Sequence, residues 1–479
     1  MFTLLNQQLN GPISLCVAPC FQMCRTDNNL LMWSGAVDNM VLMQNLSTVL
    51  LAPTPLRFIH TSDWHLGQTL HGFDRTHEHQ CFLDGLLDTL VTEQADALLV
   101  CGDIFDSANP SAASQRQLYH FLQQAKARVP QLQTVLIAGN HDSPGRLDAP
   151  GPLLETLDAT VIGFIPRLPG GGIDVARLVL PLQNRQGDVA AWCIAVPFLR
   201  PGDVPRVETS GTVAEDDPYK AGIALLYSQA LAHAQTLQQP GQALIALGHC
   251  HMVGGQTSED SERRIVIGGT EALSAGLFDS AIAYAALGHL HLAQKVAGQD
   301  HLRYCGSPLP LSFAEVNYPH QVLRVDMQSV QAKTVTTITT LPVARAVDLL
   351  RVPSQPEPLA KVLLALDAMY FENHASVQRH PYLEVRVRLD APEPGLRTHI
   401  EAALEGKAVR LAKIETSFAS QASHNGVNPA PVSLDELERL QPEDIFQRLY
   451  RSKYQSESPL ALTTAFAELL QHVEETATP

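Results

Sequence analysis

Basic side chains are scarce in this sequence. Its 479 residues include 33 Lys and Arg against 49 Asp and Glu, which gives a formal net charge of −16. A protein that binds nucleic acid over its whole surface needs clustered Lys and Arg to neutralise the phosphates. The composition argues against such a protein, whereas a local basic groove, a metal-rich site or a positively charged partner is compatible with it.

Close cysteine pairs and long apolar runs are also missing. The eight cysteines include no CxxC pair, so reduced intracellular thiols are the simplest interpretation. The apolar stretch 30–51 is interrupted by polar residues, and we expect no membrane span there. No basic segment precedes an apolar run at the N-terminus, which is unlike a secretory signal. We therefore expect a cytoplasmic protein without a membrane association.

The length and the composition predict a globular chain of two or three domains, since 45% of the residues are hydrophobic and 17% charged. We interpret residues 1–54 as an atypical N-terminal extension, either disordered or upstream of the true start. Residues 55–340 show the α/β pattern of the main domain, and residues 341–425 predict a smaller α/β domain. Residues 430–479 predict a C-terminal helical segment whose apolar stripes would dock on a partner.

Local periodicity predicts the elements of these domains. Seven apolar runs predict buried strands at Arg57–His60, Ala97–Cys101, Thr134–Ala138, Trp192–Val196, Leu244–Leu247, Arg264–Ile267 and Ala283–Leu287. A 3.6-residue apolar period predicts helices at His77–Ala95 and Ser111–Val129, with Ser111 as the N-cap of the second. The smaller domain is predicted to contain helices Leu359–Glu372 and Leu396–Leu404 and strands Tyr382–Leu389 and Ala408–Glu415. The tail is predicted to contain helices Ser433–Leu440, Pro442–Tyr450 and Leu460–Val473.

Five of the predicted strands end in residues that commonly bind metal ions. The clusters are Asp63 and His65; Asp103 and Asp106; Asn140, His141 and Asp142; His249 and His251; and His289 and His291. Ligands bind at the carboxyl ends of strands in open α/β sheets, so the five clusters are expected to converge. Glycine before four of them permits a sharp exit and a close backbone approach. In an Asp-x-His or His-x-His pair, both side chains would point the same way if the chain stays extended.

The residue types indicate the kind of ion. Carboxylate, amide oxygen and imidazole together suit Mn²⁺, Fe²⁺ or Zn²⁺, and they argue against a thiolate site or an all-oxygen Ca²⁺ site. Each motif alone has a structural explanation, such as a turn or a satisfied core histidine. Their joint occurrence in one domain favours a site for two ions that share a carboxylate. The seven candidate ligands are Asp63, His65, Asp103, Asn140, His249, His289 and His291.

The ordered motifs resemble those of the calcineurin-like metallophosphoesterases. Six segments are similar to the SbcD family of bacterial nuclease subunits: HTSDWHLGQ (60–68), GDIFD (102–106), AGNHDS (138–143), PFLRP (197–201), ALGHLH (286–291) and RYCGSPLPLSF (303–313). The resemblance implies an α/β fold, specifically an α+β four-layer αββα sandwich, with a small α/β capping domain that positions DNA and a C-terminal helical segment.

The resemblance also implies roles for individual residues. One ion would be held by Asp63, His65, Asp103 and His291, and the other by Asp103, Asn140, His249 and His289, with Asp103 bridging. His141 matches the catalytic histidine of the family. His251 is an alternative to His249, and Asp106 would orient a ligand or substrate. The family implies two divalent ions, Mn²⁺ in particular.

The activity implied by the resemblance is that of a metal-dependent DNA nuclease. It would act as an exonuclease on double-stranded ends and as an endonuclease on single strands or hairpins, in DNA repair, replication and recombination. The implied partners are an SbcC-type coiled-coil ATPase, bound through the C-terminal helices, and a second copy of the chain within a heterotetramer. A small-molecule or phosphoprotein phosphoesterase and a non-catalytic metal-binding scaffold are the alternatives.

Overall fold

The computed structural model describes residues 55–206, 217–258, 272–330, 333–371 and 376–418, together with isolated residues between 446 and 466. Three of the sequence predictions lie outside the described residues. They concern residues 1–54, the strand Arg264–Ile267 and most of the three tail helices.

Strands from the beginning and the end of the main domain form a six-stranded mixed sheet. In sheet order, its strands are β14 (Lys333–Pro342), β13 (Gln321–Val330), β1 (Leu56–Thr61), β4 (Ala97–Cys101), β5 (Gln133–Ile137) and β6 (Ala159–Ile162). The strands β1, β4, β5 and β6 are parallel, whereas β13 runs antiparallel to both of its neighbours. All five residues of β4 are apolar and buried, which is typical of a parallel strand covered on both faces.

The strands between β6 and β13 form a second six-stranded sheet. Its order is β11 (Gln294–Val296), β12 (Gln299–Tyr304), β10 (Tyr284–Gly288), β9 (Ala243–His249), β8 (Val189–Ala195) and β7 (Val179–Gln183). The four central strands are parallel, and the edge strands β7 and β11 are antiparallel to their neighbours. A two-stranded hairpin, β2 (Thr69–Leu70) with β3 (Phe73–Asp74), follows β1.

The two sheets pack face to face, and helices cover their outer faces. Phe58 of β1 belongs to the apolar cluster that also contains Ile245 and Tyr284 of the second sheet. The adjacent Ile59 belongs to the cluster formed with α1 (Thr76–Thr92) and α2 (Ala112–Arg128). Short helices follow β5, namely α3 (Pro144–Asp148) and α4 (Gly151–Leu154), and α5 (Pro218–Leu237) covers the second sheet. This four-layer αββα order confirms the predicted fold class.

The helix starts and ends follow local chemistry. The hydroxyl of Ser111 accepts a hydrogen bond from the backbone N–H of Ser114 at 3.1 Å, which confirms the predicted N-cap of α2. Helix α5 was not predicted, because alanines occur on all of its sides and obscure the apolar period. Within the described part of the chain, no helix is both long enough and apolar enough to cross a bilayer.

A smaller unit follows the main domain. Its elements are β15 (Leu349–Pro358), α6 (Leu359–Ala368), β16 (Tyr382–Leu389), α7 (Leu396–Ala403) and β17 (Arg410–Phe418), and the three strands form a parallel sheet with β16 in the centre. Val362, Val385 and Ile400 are part of its own apolar core. Strand β15 was not predicted because it contains three prolines, and such a strand is confined to a sheet edge.

Candidate metal centre

The carboxyl ends of β1, β4, β5, β9 and β10 meet where the two sheets face each other, and the candidate ligands lie there. All are buried except Asn140, which is partly exposed. Ligand atoms lie within 4.8 Å of one another in three groups: Asp63, His65 and His291; Asp63, Asp103 and His249; and His65, Asp106 and His141. Residues far apart in the chain are therefore brought together, and their assignment to individual ions stays a prediction.

Two glycines allow this close approach. Gly102 has a φ of +85°, and a Cβ added to it would collide with the imidazole of His249. A Cβ on Gly139 would collide with the carboxylate of Asp103. Only glycine combines the left-handed backbone with the missing side chain at the first position. The close backbone approach expected from the sequence therefore requires glycine at both positions, and Gly102 also provides the sharp strand exit.

The ligand loops are bent, so the extended chain that would direct both side chains of the Asp-x-His pair the same way is not present. The φ angles are 54° at Asp63, 47° at His65 and 49° at Asp103, and His289 has 107°. Non-glycine residues rarely adopt positive φ, and such strain concentrates at functional sites. Backbone hydrogen bonds from Asp63 to Gly102 and from His65 to Asp103, both 3.0 Å, hold the bent loop against its neighbour. Tertiary contacts, which no spacing rule reports, override the extended geometry.

Asp103 lies between the two groups of ligands. Its Oδ2 is 3.6 Å from Nε2 of His65 and 3.4 Å from Nε2 of His249. Its Oδ1 accepts a hydrogen bond from the backbone N–H of His141 at 2.8 Å. One carboxylate therefore faces an imidazole from each sheet, which is the placement that a bridging ligand requires.

The two buried carboxylates have opposite pKa shifts. Burial would raise the pKa of Asp103, but His249, through its charge and its hydrogen bond, and His65 hold that pKa well below its ordinary value. Burial raises the pKa of Asp63, and the nearby histidines only partly oppose this shift. Additional positive charge at the site, such as a bound cation supplies, would favour the ionised form of Asp63.

The two histidines of the second sheet also differ. Burial lowers the pKa of His249, but the charge and hydrogen bond of Asp103 outweigh it and raise the pKa to about 9. Nδ1 of His249 donates to the carbonyl of Cys101 at 2.8 Å, so its Nε2 is directed towards the site. Burial and the neighbouring His249 lower the pKa of His289, which keeps that imidazole neutral. A cation beside His249 would replace the Nε2 proton.

The distances between the ligand atoms of Asn140, His249 and His289 are consistent with a cation bound between these three side chains. Oδ1 of Asn140 is 2.9 Å from Nε2 of His249 and 3.1 Å from Nδ1 of His289. Ligand atoms bound at about 2.1 Å to one ion lie roughly 3 Å apart. Within the described residues, the buried Nε2 of His65 has no hydrogen-bond partner, as expected of a nitrogen that binds a metal. The mixed oxygen and nitrogen donors fit divalent cations of the Mn²⁺, Fe²⁺ and Zn²⁺ class.

His251 occupies a more peripheral position than His249. Its ring centroid is 6.2 Å from that of His289, and it is partly exposed. His249 is buried against Asp103, so the structure brings the first histidine of the motif, and not the second, into the cluster.

Three carboxylates support the ligands. Asp106 accepts a hydrogen bond from Nδ1 of His65 at 3.2 Å, and Glu315 accepts one from Nδ1 of His291 at 2.8 Å. Asp142 accepts backbone N–H bonds from both strand-end loops, and burial, together with Asp103, raises its pKa to about 6. Asp142 lies inside a predicted motif but was given no role. Glu315 was missed, because nothing in its local sequence resembles a ligand cluster.

Together, the four-layer sandwich and this ligand set define a metallophosphoesterase of the calcineurin-like class. A family model described as calcineurin-like phosphoesterase matches residues 56–293. A second model, described as type 5 capsule protein repressor C-terminal domain, matches residues 345–454. The chemistry and the fold of the main domain therefore agree with the family match.

Curated relatives narrow this class. A Rhodobacter capsulatus protein, named as the SbcD subunit of nuclease SbcCD, is 38% identical over 392 residues, which cover 82% of this chain and 93% of the relative. The Escherichia coli K12 protein of the same name is 32% identical over 402 residues, with 82% and 92% covered. The chain belongs to the SbcD family of SbcCD nuclease subunits. The solved structure of a dimetal phosphatase from Danio rerio is similar over 60% of this chain and 99% of its own length. The identity is 10% and the TM-score 0.32, so this likeness is a distant one.

Proposed function

We propose that this chain is the nuclease subunit of an SbcCD-type complex and that it hydrolyses DNA phosphodiester bonds. The observation that carries the proposal is the convergence of seven side chains with oxygen or nitrogen donors, Asp103 and six others, in a member of a family whose curated relatives are named nucleases. Exonuclease action on double-stranded ends and endonuclease action on single strands or hairpins, both ATP-dependent, are part of the proposal.

The proposed ligand sets follow the two sides of Asp103. Asp63, His65 and His291 would hold one divalent cation with Asp103, and Asn140, His249 and His289 would hold the second. Bound cations of this kind lower the pKa of a water molecule and neutralise charge on phosphate oxygens. We propose Mn²⁺ for both positions, as the family resemblance implies, and the mixed donor set without a thiolate is compatible with this ion.

In this proposal, His141 moves a proton at the leaving oxygen. Its Nδ1 donates to the carbonyl of Asp106 at 2.7 Å, which fixes the tautomer and the ring orientation. Its ring centroid lies 4.8 Å from that of His65, and the side chain is partly exposed, so it faces both the cluster and the approach to it. A protonated Nε2 would donate to the oxygen that departs from phosphorus.

Supporting carboxylates hold the imidazoles in place. Asp106 orients His65, and Glu315 orients His291, because each accepts the Nδ1 proton and leaves Nε2 as the ligand atom. Such partners increase the basicity of the ligand and prevent rotation of the ring. We propose this orienting role for Asp106 in place of direct catalysis.

We propose that the small unit, residues 341–425, caps the site and contacts the DNA backbone. Arg351 and Arg386 form ion pairs with Glu384 and Glu415, both at 2.7 Å, so part of its positive charge is already compensated. Arg379 and Arg388 are exposed. Exposed arginines are the better candidates for phosphate contacts, and these two offset the acidic character of the chain locally.

Assembly belongs to the same proposal. Residues 430–479 would place amphipathic helices on the coiled-coil base of an SbcC-type ATPase, and two copies of the chain would pair within the complex. The predicted apolar stripes of the tail support this, since helices that cannot bury their own stripe dock on another surface.

The test is Mn²⁺-dependent cleavage of a double-stranded DNA end by the complex. His141→Ala should reduce the rate roughly 100-fold or more, with the number of bound ions unchanged. His120→Ala, which removes an exposed imidazole from α2, is the matched control and should cleave at the wild-type rate. Equal rates for the His141 variant and the control would remove His141 from the mechanism. Absence of cleavage in the wild-type complex would overturn the proposed function.

A further inference from the structure

A buried ion pair lies between the metal centre and the small unit. Arg75, the residue before α1, is 1% exposed, and Glu78 in the first turn of α1 is 2% exposed. Nε and Nη2 of Arg75 donate to the two carboxylate oxygens of Glu78 at 3.1 and 2.6 Å. Burial of an ion pair is tolerated when the remaining donors and acceptors are also satisfied. The other partners of this pair therefore show what it connects.

On one side, Arg75 holds two loops of the metal centre. Its Nη1 donates to the side-chain oxygen of Gln68 at 2.8 Å and to the carbonyl of Pro310 at 2.7 Å. The side chain of Gln68 donates to the carbonyl of Leu311 at 3.0 Å, and its backbone N–H donates to the carbonyl of His65 at 2.9 Å. The guanidinium thus ties the loop of His65 to the loop that begins at Pro310.

The loop that begins at Pro310 is linked to the candidate ligand His291 through Glu315. Its Oε2 accepts the backbone N–H of Leu311 at 2.7 Å, and its Oε1 accepts Nδ1 of His291 at 2.8 Å. Short hydrogen-bonded chains therefore link the guanidinium of Arg75 to two candidate ligands, His65 and His291.

On the other side, Glu78 contacts the small unit. Its Oε1 accepts a hydrogen bond from the hydroxyl of Tyr382, the first residue of β16, at 2.7 Å, and that hydroxyl also lies 3.5 Å from the carbonyl of Asp74. Burial and the charge of Glu78 raise the pKa of Tyr382, so the phenol keeps its proton and donates it. The guanidinium carbon of Arg410 lies 3.7 Å from the centre of the Tyr382 ring and helps to fix its position.

An apolar core surrounds this contact. Leu70 and Phe313 of the main domain pack with Val347, Leu349 and Tyr382. Apolar burial is non-directional, so it holds the two parts together without fixing their exact orientation. The hydrogen-bonded chain through Arg75, by contrast, is directional and ends at the ligand loops.

We propose that Arg75, Glu78 and Tyr382 couple the docking of the small unit to the metal centre, so that the Tyr382 contact tightens cation binding at His65 and His291. These three are positioning residues, which act through Gln68 and Glu315. The inference rests on the proposed function, because it assumes that these histidines bind metal. Linkage then requires that cation binding stabilises the docked position of the small unit by the same factor.

Tyr382→Phe tests the coupling, because it removes one hydroxyl and keeps the ring in the apolar core. Mn²⁺ binding to the full-length chain is measured by isothermal titration calorimetry. We expect a roughly 2- to 30-fold loss of affinity for one of the two ions. Tyr219→Phe is the matched control, since it removes a hydroxyl that donates to the carbonyl of Leu199 at 2.7 Å, and its affinity should equal that of the wild type.

A double-mutant cycle with Glu315→Gln locates the route. If the contact acts through Glu315, the double variant should lose less affinity than the product of the two single losses. Losses that multiply would overturn the link to His291 through Glu315. Wild-type affinity in Tyr382→Phe, or equal losses in Tyr382→Phe and the control, would each overturn the coupling as a whole and leave the metal site standing. A wild-type chain that binds no Mn²⁺ would overturn the proposed function instead.

The reverse effect is measurable without any variant. Amide hydrogen exchange of the wild-type chain with and without Mn²⁺ should show slower exchange across residues 382–389 when the cation is present, while helix α5 serves as the internal reference. This measurement also decides the case if Tyr382→Phe fails to fold. Identical exchange at 382–389 in the two conditions, with Mn²⁺ bound, would contradict the inference.

Discussion

Nδ1 of His291 donates a hydrogen bond to Oε1 of Glu315 at 2.8 Å, and both side chains are buried. Glu315→Gln keeps the shape of the side chain but removes the charge that makes the imidazole a stronger ligand. We expect metal affinity to fall roughly 10- to 100-fold, measured by Mn²⁺ titration. Glu401→Gln, on an exposed face of α7, is the control. Unchanged affinity in the Glu315 variant would show that this carboxylate only packs against the ligand.

The position of Asp103 predicts how many ions each variant binds. His291→Ala and His249→Ala should each retain about one ion per chain, because each leaves one proposed ligand set largely complete. Asp103→Ala should lose both, since this carboxylate faces an imidazole from each sheet. Metal content after dialysis, measured by plasma mass spectrometry, checks the prediction. Retention of one tightly held ion in Asp103→Ala would mean that the carboxylate does not bridge.

Gly102 provides a test of the close approach between the sheets. Its φ is +85° and that of Gly187 is +86°, but an added Cβ meets His249 at the first position and nothing within 4 Å at the second. Gly187→Ala should cost about 1 kcal/mol of unfolding free energy from backbone strain alone. Gly102→Ala should cost more and should also weaken metal binding. Equal costs in urea unfolding, with equal metal affinity, would show that the packing can relax.

His60 should make the fold sensitive to acid. Burial lowers its pKa to about 3 in the folded chain, whereas an unfolded histidine has a pKa near 6.5. The unfolded state therefore takes up a proton as the pH falls below 6.5, and the folded state does not until about 3. Stability present at neutral pH is lost across that window, by about 2 kcal/mol between pH 8 and pH 5.

This measurement uses protein from which metal has been removed with a chelator. The metal ligands then make the same contribution to the pH dependence of the unfolding free energy in every variant. The free energy of unfolding in urea should fall less between pH 8 and pH 5 in His60→Gln than in the wild type. His120→Gln, an exposed substitution, should keep the wild-type slope. A His60 variant with an unchanged slope would place the acid sensitivity elsewhere.

The parallel strands that end in the candidate ligands could be predicted, because buried parallel strands are continuous apolar runs. Ala97–Cys101 was predicted to the residue, and Leu244–Leu247 was predicted one residue short at its start and two residues short at its end. The edge strand Leu349–Pro358 and the helix Pro218–Leu237 could not be predicted, because prolines and evenly distributed alanines remove the local signal.

Which residues meet at the strand ends could also be predicted, since parallel strands direct their carboxyl ends to one edge. Their conformations could not, because the positive φ at Asp63 and His65 arises from hydrogen bonds to the neighbouring loop. Glu315 shows the same limit, since its role depends on a fold-back towards His291 that has no signature in the adjacent residues.

The backbone N–H of His289 donates to the carboxylate of Asp63, a residue 226 positions earlier in the chain. Four of the seven candidate ligands follow strands of the first sheet and three follow strands of the second, so neither sheet carries the complete set. During synthesis, the proposed site is therefore incomplete until the last candidate ligand has left the ribosome and the two layers have packed together. For a nuclease subunit, completed folding thus has to precede metal-dependent cleavage.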